Sequence, residues 1–343
     1  MGILPGQSIA RLIADGAIAA DAPIAPGQVQ PASLDLRLGA HAYRLRASFL
    51  PGEHAPVARR LEDSDLVMHR IPLDGGAVLE TGCVYLVPLS ESLRLPAGMT
   101  GVANPKSSTG RLDVFTRVIC DGARRFDAAP EGYQGPLYLE ISPRTFSILV
   151  RPGDRLAQLR LREGGHVPSR EITLGVDLSA AESRVVGFRA RRHAGLIDLS
   201  DVGGHAPADY WEPLYARRGR LVLDPDEFYI LASSEAVTIG AEEAAEMAPI
   251  APEIGEFRAH YAGFFDPGFG VDTAARAVLE VRGRDVPFVL EHGQPVAKLV
   301  YEPMAARPET LYGEAGSHYQ SQGLKLGKHF DAWQPHLWPH HER

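Results

Sequence analysis

One short segment of the 343-residue chain combines several groups that bind phosphate. Lys106 and Arg111 supply two cations, Ser107 and Ser108 supply two hydroxyls, and a glycine lies between them. Phosphate oxygens are bound in proteins by such cations, by hydroxyls and by backbone N–H groups in turns. On composition alone, a solvent-exposed turn that leads into a helix is the favoured alternative. We refer to residues 106–111 as the phosphate segment.

The elements that would position this segment are mostly short strands. Alternating apolar runs occur at residues 34–38, 84–86 and 137–141, each bounded by Gly, Pro, Asp or Ser. Together with 35 glycines and 27 prolines, this pattern is typical of the strands and turns of a sandwich or barrel. Helical patterns are predicted in three stretches: residues 8–16, starting from an N-cap at Ser8, residues 177–183, and residues 240–247.

The chain also repeats itself. Residues 79–91 align with residues 223–235 at a constant offset of 144, so that Tyr85 matches Tyr229. A second block, residues 139–159, aligns with residues 279–299 at an offset of 140. Agreement across two separate blocks favours a tandem duplication of one β domain over chance similarity between short strands. The division is predicted in the basic stretch near residue 190, which gives domains of residues 1–190 and 191–343.

Charge and cysteine content narrow the classes of function. The net charge is −8, which argues against sequence-independent binding of a nucleic-acid polymer. Two cysteines, Cys83 and Cys120, are too few for a disulfide framework or a cysteine-based structural zinc site. No stretch approaches about 20 consecutive apolar residues. A cytoplasmic protein without a membrane segment is therefore expected.

Histidines do not add a metal site to this picture. The chain has 13 of them, and three lie close to the C-terminus at positions 336, 340 and 341, without acidic partners at ligand spacing. Adventitious metal binding by a surface tail is the expected behaviour of such a run. No protein metal site is predicted.

Four motifs, in this order, give the chain a specific resemblance. They are residues 30–39, the phosphate segment, residues 135–140 and residues 152–158. The second repeat adds residues 265–268 and 278–280, and the tail adds Tyr312 and residues 319–323. In order and spacing, the chain resembles a two-domain member of the dCTP deaminase and dUTPase superfamily. The resemblance implies a mostly β fold of two tandem dUTPase-like domains, of the β-clip or jelly-roll type, with few short helices.

The resemblance also implies roles for residues of the first repeat. Ser107, Ser108 and Arg111 are expected to contact the nucleotide and its phosphates, and Lys106 occupies a position where the family often has Arg. Glu140 is the implied catalytic carboxylate, acting with Ser107 and Arg111 as water adds to C4 of cytosine and ammonia leaves, without a catalytic zinc. Apolar neighbours can shift the pKa of such a carboxylate by desolvation. The alternation of apolar residues equally allows Glu140 to face solvent. Substrate contacts are also implied for Tyr138 and Gln158.

The chain departs from the family pattern in both repeats. The segment from Asp127 to Gly135 is three residues longer than the family motif, so Asp127 is a provisional sugar or base contact and Tyr133 is placed to stack on the deoxyribose. The second repeat has acidic residues where phosphates would lie, which predicts a scaffold in which Glu280 is a degenerate copy. The tail is expected to close over a nucleotide site with four residues: Tyr312, Tyr319, Gln322 and Lys325.

The prediction is deamination of dCTP to dUTP and ammonia, with Mg²⁺ arriving on the triphosphate. The motifs also fit a dUTPase, although the expected dUTPase base would fall on Pro130, and they fit a bifunctional enzyme that forms dUMP. A non-catalytic nucleotide-binding protein is the alternative from another class. A zinc-dependent cytidine deaminase is excluded, because its paired cysteine motif is missing. By resemblance the sites lie between subunits, so a homo-oligomer is expected, with a trimer favoured.

Overall fold

The computed structural model describes residues 1–53, 55–179, 184–260, 263–271, 273, 275–314 and 323–333. Strands dominate it, which confirms the predicted mostly β class. The helices of the described residues are short: α1 (Gly6–Ala14), α2 (Val57–Arg60), α3 (Ser107–Gly110) and α4 (Pro207–Tyr210), with one 3-10 turn at Pro252–Ile254. None of the helices in these ranges has the length and apolar character needed to cross a membrane.

The strands of the first half are β1 (Gly2–Ile3), β2 (Ile18–Ala20), β3 (Leu34–Arg37), β4 (His41–Leu45), β5 (Val67–Pro72), β6 (Ala77–Leu79), β7 (Val84–Arg94), β8 (Met99–Pro105), β9 (Val114–Cys120), β10 (Ala128–Ala129), β11 (Gln134–Pro143), β12 (Ile148–Val150) and β13 (Arg155–Glu163). Two sheets carry most of them. One has the order β1-β13-β8-β10 with β3 also on β13, and the other has the order β5-β4-β7-β11-β9 with β2 also on β7. Their facing sides enclose an apolar core.

The strands of the second half are β14 (Arg170–Gly175), β15 (Val185–Ala190), β16 (Ile197–Asp198), β17 (Trp211–Tyr215), β18 (Arg220–Leu223), β19 (Phe228–Val237), β20 (Glu243–Pro249), β21 (Phe257–His260), β22 (Phe264–Phe265), β23 (Ala275–Gly283), β24 (Phe288–Glu291) and β25 (Pro295–Pro303). Their sheets run β14-β25-β20-β22 and β17-β15-β19-β23-β21, with β18 paired to β24. A second apolar core lies between them.

The two halves share one design, which confirms the tandem duplication. Strand β7 pairs with β11 in the first half, and β19 pairs with β23 in the second. A specific hydrogen bond also repeats, because the N–H of Glu80 donates to the hydroxyl of Tyr85 at 3.1 Å and the N–H of Asp224 donates to that of Tyr229 at 2.7 Å. Glu80 and Asp224 are 144 positions apart, and so are Tyr85 and Tyr229.

Strand pairing also bears on where the repeats divide. Strands β14 and β15 precede residue 190, yet they pair with β25, β17 and β19 of the second half. The backbone hydrogen bonds therefore favour a division before residue 170. Strand β16 then returns to the first half and pairs with β12. The division at residue 190 followed composition, which carries no information on strand partners.

Two of the three predicted helices need correction. Residues 240–247 were predicted helical from their Ala and Glu content, but β20 covers Glu243–Pro249 and pairs with β25 and β22, so tertiary pairing overrides propensity. Helix α1 begins at Gly6 after an N-cap at Pro5, so Ser8 lies in its first turn and is not the cap. Of residues 177–183, the first three are not helical and the others lie outside the described ranges.

Candidate active site

A cleft of about 830 Å³ lies between the two repeats. The first repeat contributes helix α1, strand β3, the phosphate segment and the start of β13, while the second contributes Phe264, Asp266 and the chain that follows β25. Its volume is in the range of small-molecule binding sites. The lining residues that matter most for the chemistry are Asp35, Lys106, Ser107, Ser108, Gln158, Asp266, Tyr312 and Lys328.

The phosphate segment is a tight turn at the end of β8. Helix α3 is a single turn, and the N–H groups of Thr109 and Gly110 both donate to the carbonyl of Lys106. The hydroxyl of Thr109 donates to the carbonyl of Leu156 at 2.8 Å, which fixes the turn against β13. The ammonium of Lys106 forms an ion pair with Asp35. This turn places the hydroxyl-bearing residues 107 and 108 on the wall of the cleft, as predicted.

Arg111, the last residue of the phosphate segment, faces the second repeat. Its Nε lies 3.9 Å from Oε1 of Glu280, and its Nη1 donates to the carbonyl of Lys325 at 3.0 Å. Arg111 and Glu280 are 1% and 4% exposed, so both lie behind the cleft wall rather than on it. Burial raises the pKa of Glu280 to about 8, because the loss of hydration outweighs the attraction of Arg111.

Asp266 of the second repeat lines the same cleft as the phosphate segment. Its Oδ1 accepts a hydrogen bond of 3.0 Å from the guanidinium of Arg160, which belongs to β13 of the first repeat. Nη1 of Arg160 also donates to the carbonyl of Ala245 at 2.8 Å. Burial raises the pKa of Asp266 despite the neighbouring arginine. The charged pair fixes the second repeat against the first at the site.

The turn after Asp266 holds the start of the tail. The carbonyl of Pro267 accepts a 2.8 Å hydrogen bond from the N–H of Tyr312. Gly268 has a φ of +97°, and a Cβ at this position would lie 2.9 Å from that same nitrogen. Only glycine fits such a close approach in this backbone conformation. The Asp-Pro-Gly motif therefore positions Tyr312 at the cleft.

Glu140 is not brought to the cleft. It shares a face of β11 with Tyr138, and this face is covered by residues 46–53 and 55–66 of its own repeat, which include Phe49, Val57 and Leu61. Glu140 accepts a hydrogen bond from Ser48, and burial raises its pKa. The predicted meeting of Glu140 with Ser107 and Arg111 does not occur within this chain, because the face of β11 that carries Glu140 packs against other residues of its own repeat.

Three other predicted substrate contacts also lie elsewhere. Tyr133 is buried, and its hydroxyl donates to the carbonyl of Pro136 at 2.7 Å, so its ring serves the first core. Tyr138 packs under the covering segment, residues 46–53 and 55–66. Asp127 accepts a 2.7 Å hydrogen bond from the N–H of Val118, and burial raises its pKa to about 7. All three residues belong to the first repeat, and none is among the residues that line the cleft.

The tail agrees in part with expectation. Tyr312 lines the cleft, and the carbonyl of Lys325 contacts Arg111, whereas Tyr319 and Gln322 lie outside the described residues. Lys328 lines the cleft but was not selected from the sequence. Burial lowers the pKa of Lys328, and the positive charge of Lys106 lowers it further. In the portions of the chain that the structure describes, no group of three or more His, Cys, Asp or Glu residues has the spacing of a metal site.

Asp266, which lines the cleft, was not selected from the sequence, because the second repeat was taken as a scaffold. A usable signal was present. The first repeat keeps the phosphate segment but has an altered Asp-Pro-Gly region, and the second repeat keeps Asp-Pro-Gly and its glutamate but has no phosphate segment. Complementary departures of this kind indicate that the two repeats share one site.

Comparison with known proteins agrees with this architecture. Residues 1–165 match the family model of the 2'-deoxycytidine 5'-triphosphate deaminase N-terminal domain, and residues 152–330 match that of its C-terminal domain. A dCTP deaminase of Halorubrum lacusprofundi is 30% identical over 137 residues, which are 40% of this chain and 64% of that protein. A Sulfurihydrogenibium protein named "dCTP deaminase, dUMP-forming" is 28% identical over 46% of this chain and 81% of its own length.

A solved structure covers nearly the whole chain. The crystal structure of 2'-deoxycytidine 5'-triphosphate deaminase from Agrobacterium tumefaciens is 52% identical and superposes with a TM-score of 0.87, over 92% of this chain and 99% of that one. Both predicted repeats are thus present together in a single relative. The chain belongs to the dCTP deaminase family of hydrolytic deaminases.

Proposed function

We propose that this chain converts dCTP and water to dUTP and ammonia in the cleft between its two repeats. The observation that carries the proposal is that Ser107 and Ser108 of the first repeat and Asp266 of the second line the same cleft. One wall carries hydroxyls and cations suited to a triphosphate, and the other carries a buried carboxylate and an aromatic tail residue suited to a nucleoside.

The triphosphate lies along the phosphate segment in this proposal. Lys106, Ser107 and Ser108 contact its oxygens, and Lys328 adds a cation from the tail. Gln158 lies on the same wall, and Arg111 lies behind it. Mg²⁺ arrives bound to the phosphate oxygens, since it neutralises a highly charged substrate and retains much of its water. No zinc takes part in the proposed chemistry.

The nucleoside lies toward the second repeat. Asp266 is placed to accept a hydrogen bond from the sugar or the base, and the ring of Tyr312 provides an apolar surface beside it. Tyr319 and Gln322 stay predictions, as residues of the tail that close over the bound nucleotide. A cytoplasmic homo-oligomer, with a trimer favoured, likewise stays a proposal, and light scattering on the purified protein tests the oligomeric state.

Product analysis tests this function. The protein is incubated with dCTP and Mg²⁺, and separately with dUTP and Mg²⁺, after which nucleotides, ammonia and pyrophosphate are measured. We expect ammonia and dUTP from dCTP. Ammonia with dUMP and pyrophosphate would assign the bifunctional reaction, a second candidate that the similarity to the dUMP-forming Sulfurihydrogenibium enzyme supports. Pyrophosphate from dUTP alone would assign a dUTPase, and no turnover would leave a nucleotide-binding protein.

A further inference from the structure

We infer that Arg282 of the second repeat is a positioning residue for the phosphate segment, and that it acts through Asp113 of the first repeat. The inference rests on the proposed function and adds to it a contact by which docking of the second repeat holds the triphosphate-binding turn in shape. Arg282 and Asp113 form an ion pair, and neither of them contacts the nucleotide in this proposal.

Asp113 ends the turn that carries the phosphate segment. Its N–H donates to the carbonyl of Gly110 at 2.9 Å, and its φ is +55°, in the left-handed region. Most side chains disfavour this conformation, although aspartate adopts it more readily than others. The residues on either side, Leu112 and Val114, both line the cleft. The backbone of Asp113 therefore sets how the phosphate segment joins β9 at the cleft wall.

The side chain of Asp113 lies in the contact between the repeats. Its carboxylate is fully buried and forms an ion pair with Arg282 of β23. Oδ2 of Asp113 also accepts a 2.5 Å hydrogen bond from the hydroxyl of Thr145, and this hydroxyl accepts one of 2.9 Å from Nη2 of Arg282. Three groups, contributed by both repeats, thus form a ring of hydrogen bonds at the end of the turn.

Arg282 is itself fixed within the second repeat. Strand β23 pairs with β19 on one side and with β21 on the other, where Arg282 lies opposite Phe228 and Arg258 respectively. Nη1 of Arg282 donates to the carbonyl of Asp226, in the turn before β19. Because backbone and side chain are both held by the second repeat, the guanidinium moves only with that repeat. The docking of the repeats therefore sets where the carboxylate of Asp113 lies.

Burial makes the turn dependent on this contact. A carboxylate that is removed from water is costly to the folded state unless a cation and hydrogen bonds compensate it. Thr145 supplies a hydrogen bond to Asp113 but no charge, and Arg282 supplies the positive charge. Without Arg282, the carboxylate would be driven toward water. The end of the phosphate segment, which is joined to it through Leu112, would move with it.

A second ion pair acts in the opposite direction. Arg160 of the first repeat compensates the buried Asp266 of the second. Each repeat thus supplies an arginine to a buried aspartate of the other, close to the wall that the other contributes to the cleft. Ser142 matches Arg282 at the offset of 140 and carries no charge. The pair of Arg282 and Asp113 is therefore a feature of the docked repeats and not of the domain design that they share.

The test measures kcat and KM for ammonia release from dCTP with Mg²⁺ by the full chain. Arg282→Met removes the cation and keeps an unbranched side chain. We expect KM to rise by about tenfold or more and kcat to stay within about threefold of wild type, because a displaced phosphate segment weakens the binding of substrate and transition state alike.

Arg276→Met is the matched control. Arg276 lies on the same strand, and its ion pair is with Asp177 of its own repeat. We expect KM and kcat of this variant to stay within about threefold of wild type. A general loss of stability would affect both variants, whereas positioning of the phosphate segment is specific to Arg282. Equal KM values in the two variants would overturn the inference.

A double variant, Arg282→Met with Asp113→Asn, separates positioning from the effect of an unpaired buried charge. Both charges of the pair are removed, and asparagine also tolerates left-handed backbone. This variant decides the question if Arg282→Met alone fails to fold. A KM that stays raised by about tenfold supports positioning. A KM equal to that of wild type overturns it, because the unpaired charge alone would then have disturbed the site.

Failure of the proposed function gives a different result. A wild-type chain that releases no ammonia from dCTP would remove that function, and the dissociation constant for dCTP, measured by calorimetry, would then replace KM. Binding that is weakened about tenfold in Arg282→Met and unchanged in Arg276→Met would still support the positioning role. Equal dissociation constants in the two variants would overturn it.

Discussion

The equivalent sheet face is covered by different parts of the chain in the two repeats. In the first repeat, the face that carries Glu140 is covered by residues 46–53 and 55–66 of that repeat. In the second repeat, the face that carries Glu280 is covered by the first repeat, including Phe146, which packs edge-on against Trp211 at 5.4 Å. Two positions that are equivalent in sequence therefore have different partners.

This difference shows that the role of a residue in a duplicated enzyme cannot be inferred from one repeat alone. The second repeat lacks the phosphate segment and, taken alone, is a degenerate copy. The first repeat has the phosphate segment, but its glutamate is covered by its own chain. Only the docked pair brings Arg111 to Glu280 and Ser107 to Asp266.

The interface that creates this pairing is itself open to test. Arg160 is fully buried and bonds Asp266 and the carbonyl groups of Ala245 and Phe265 across the interface. Arg160→Met leaves Asp266 buried without its cation, so we expect a loss of about 3–5 kcal/mol in the free energy of unfolding, measured by urea denaturation. The exposed Lys298–Glu171 pair is the control, and Lys298→Ala is expected to cost less than about 1 kcal/mol. A loss as small as the control's would mean that the repeats do not depend on this contact.

Measurements of nucleotide affinity test whether only the first repeat binds phosphate. Arg111→Ala removes a cation of the phosphate segment, so dCTP binding is expected to weaken by about 1.5–3 kcal/mol, the value of a hydrogen bond to a charged group. Glu253→Ala, in the matching turn of the second repeat, is expected to leave affinity unchanged. Titration calorimetry measures both. If the second variant weakens binding as much as the first, both repeats bind nucleotide.

Stability is also expected to depend on pH. The pKa of Glu280 is raised in the folded chain from 4.5 to about 8, so the folded state holds more protons than the unfolded state between these values. This carboxyl group therefore reduces stability as pH rises from about 4.5 to 8. Glu280→Gln removes the effect, and its melting temperature should exceed that of wild type more at pH 8 than at pH 5. Other titrating groups are common to both proteins. If the difference in melting temperature between Glu280→Gln and wild type stays constant or becomes smaller as pH rises, Glu280 lies in a hydrated environment.

Much of the fold could be predicted from sequence because its signals are local or periodic. Alternating strands, the duplication and the turn of the phosphate segment all follow from patterns within a few residues or from a fixed offset. A local pattern gave the wrong element at residues 240–247. Ala and Glu favour a helix there, and only pairing with β25 makes the segment a strand.

The site was less predictable because its central contacts join distant residues. Arg111 and Glu280 are 169 positions apart, and their meeting depends on which face of the second repeat docks on the first. The alternation around Glu140 correctly placed it opposite the leucines, but it carried no information on the covering segment. The motifs therefore could not show that Glu280, and not Glu140, lies beside Arg111 in the folded chain.

The central claim is that one chain holds one site built from both repeats. The most direct measurement is the number of nucleotides bound per chain, obtained by titration calorimetry with the proposed product dUTP in the presence of Mg²⁺ so that deamination does not interfere. The account predicts one dUTP per chain, and none with Arg111→Ala at concentrations near the wild-type dissociation constant. Two molecules per chain would contradict it, because each repeat would then hold a site of its own.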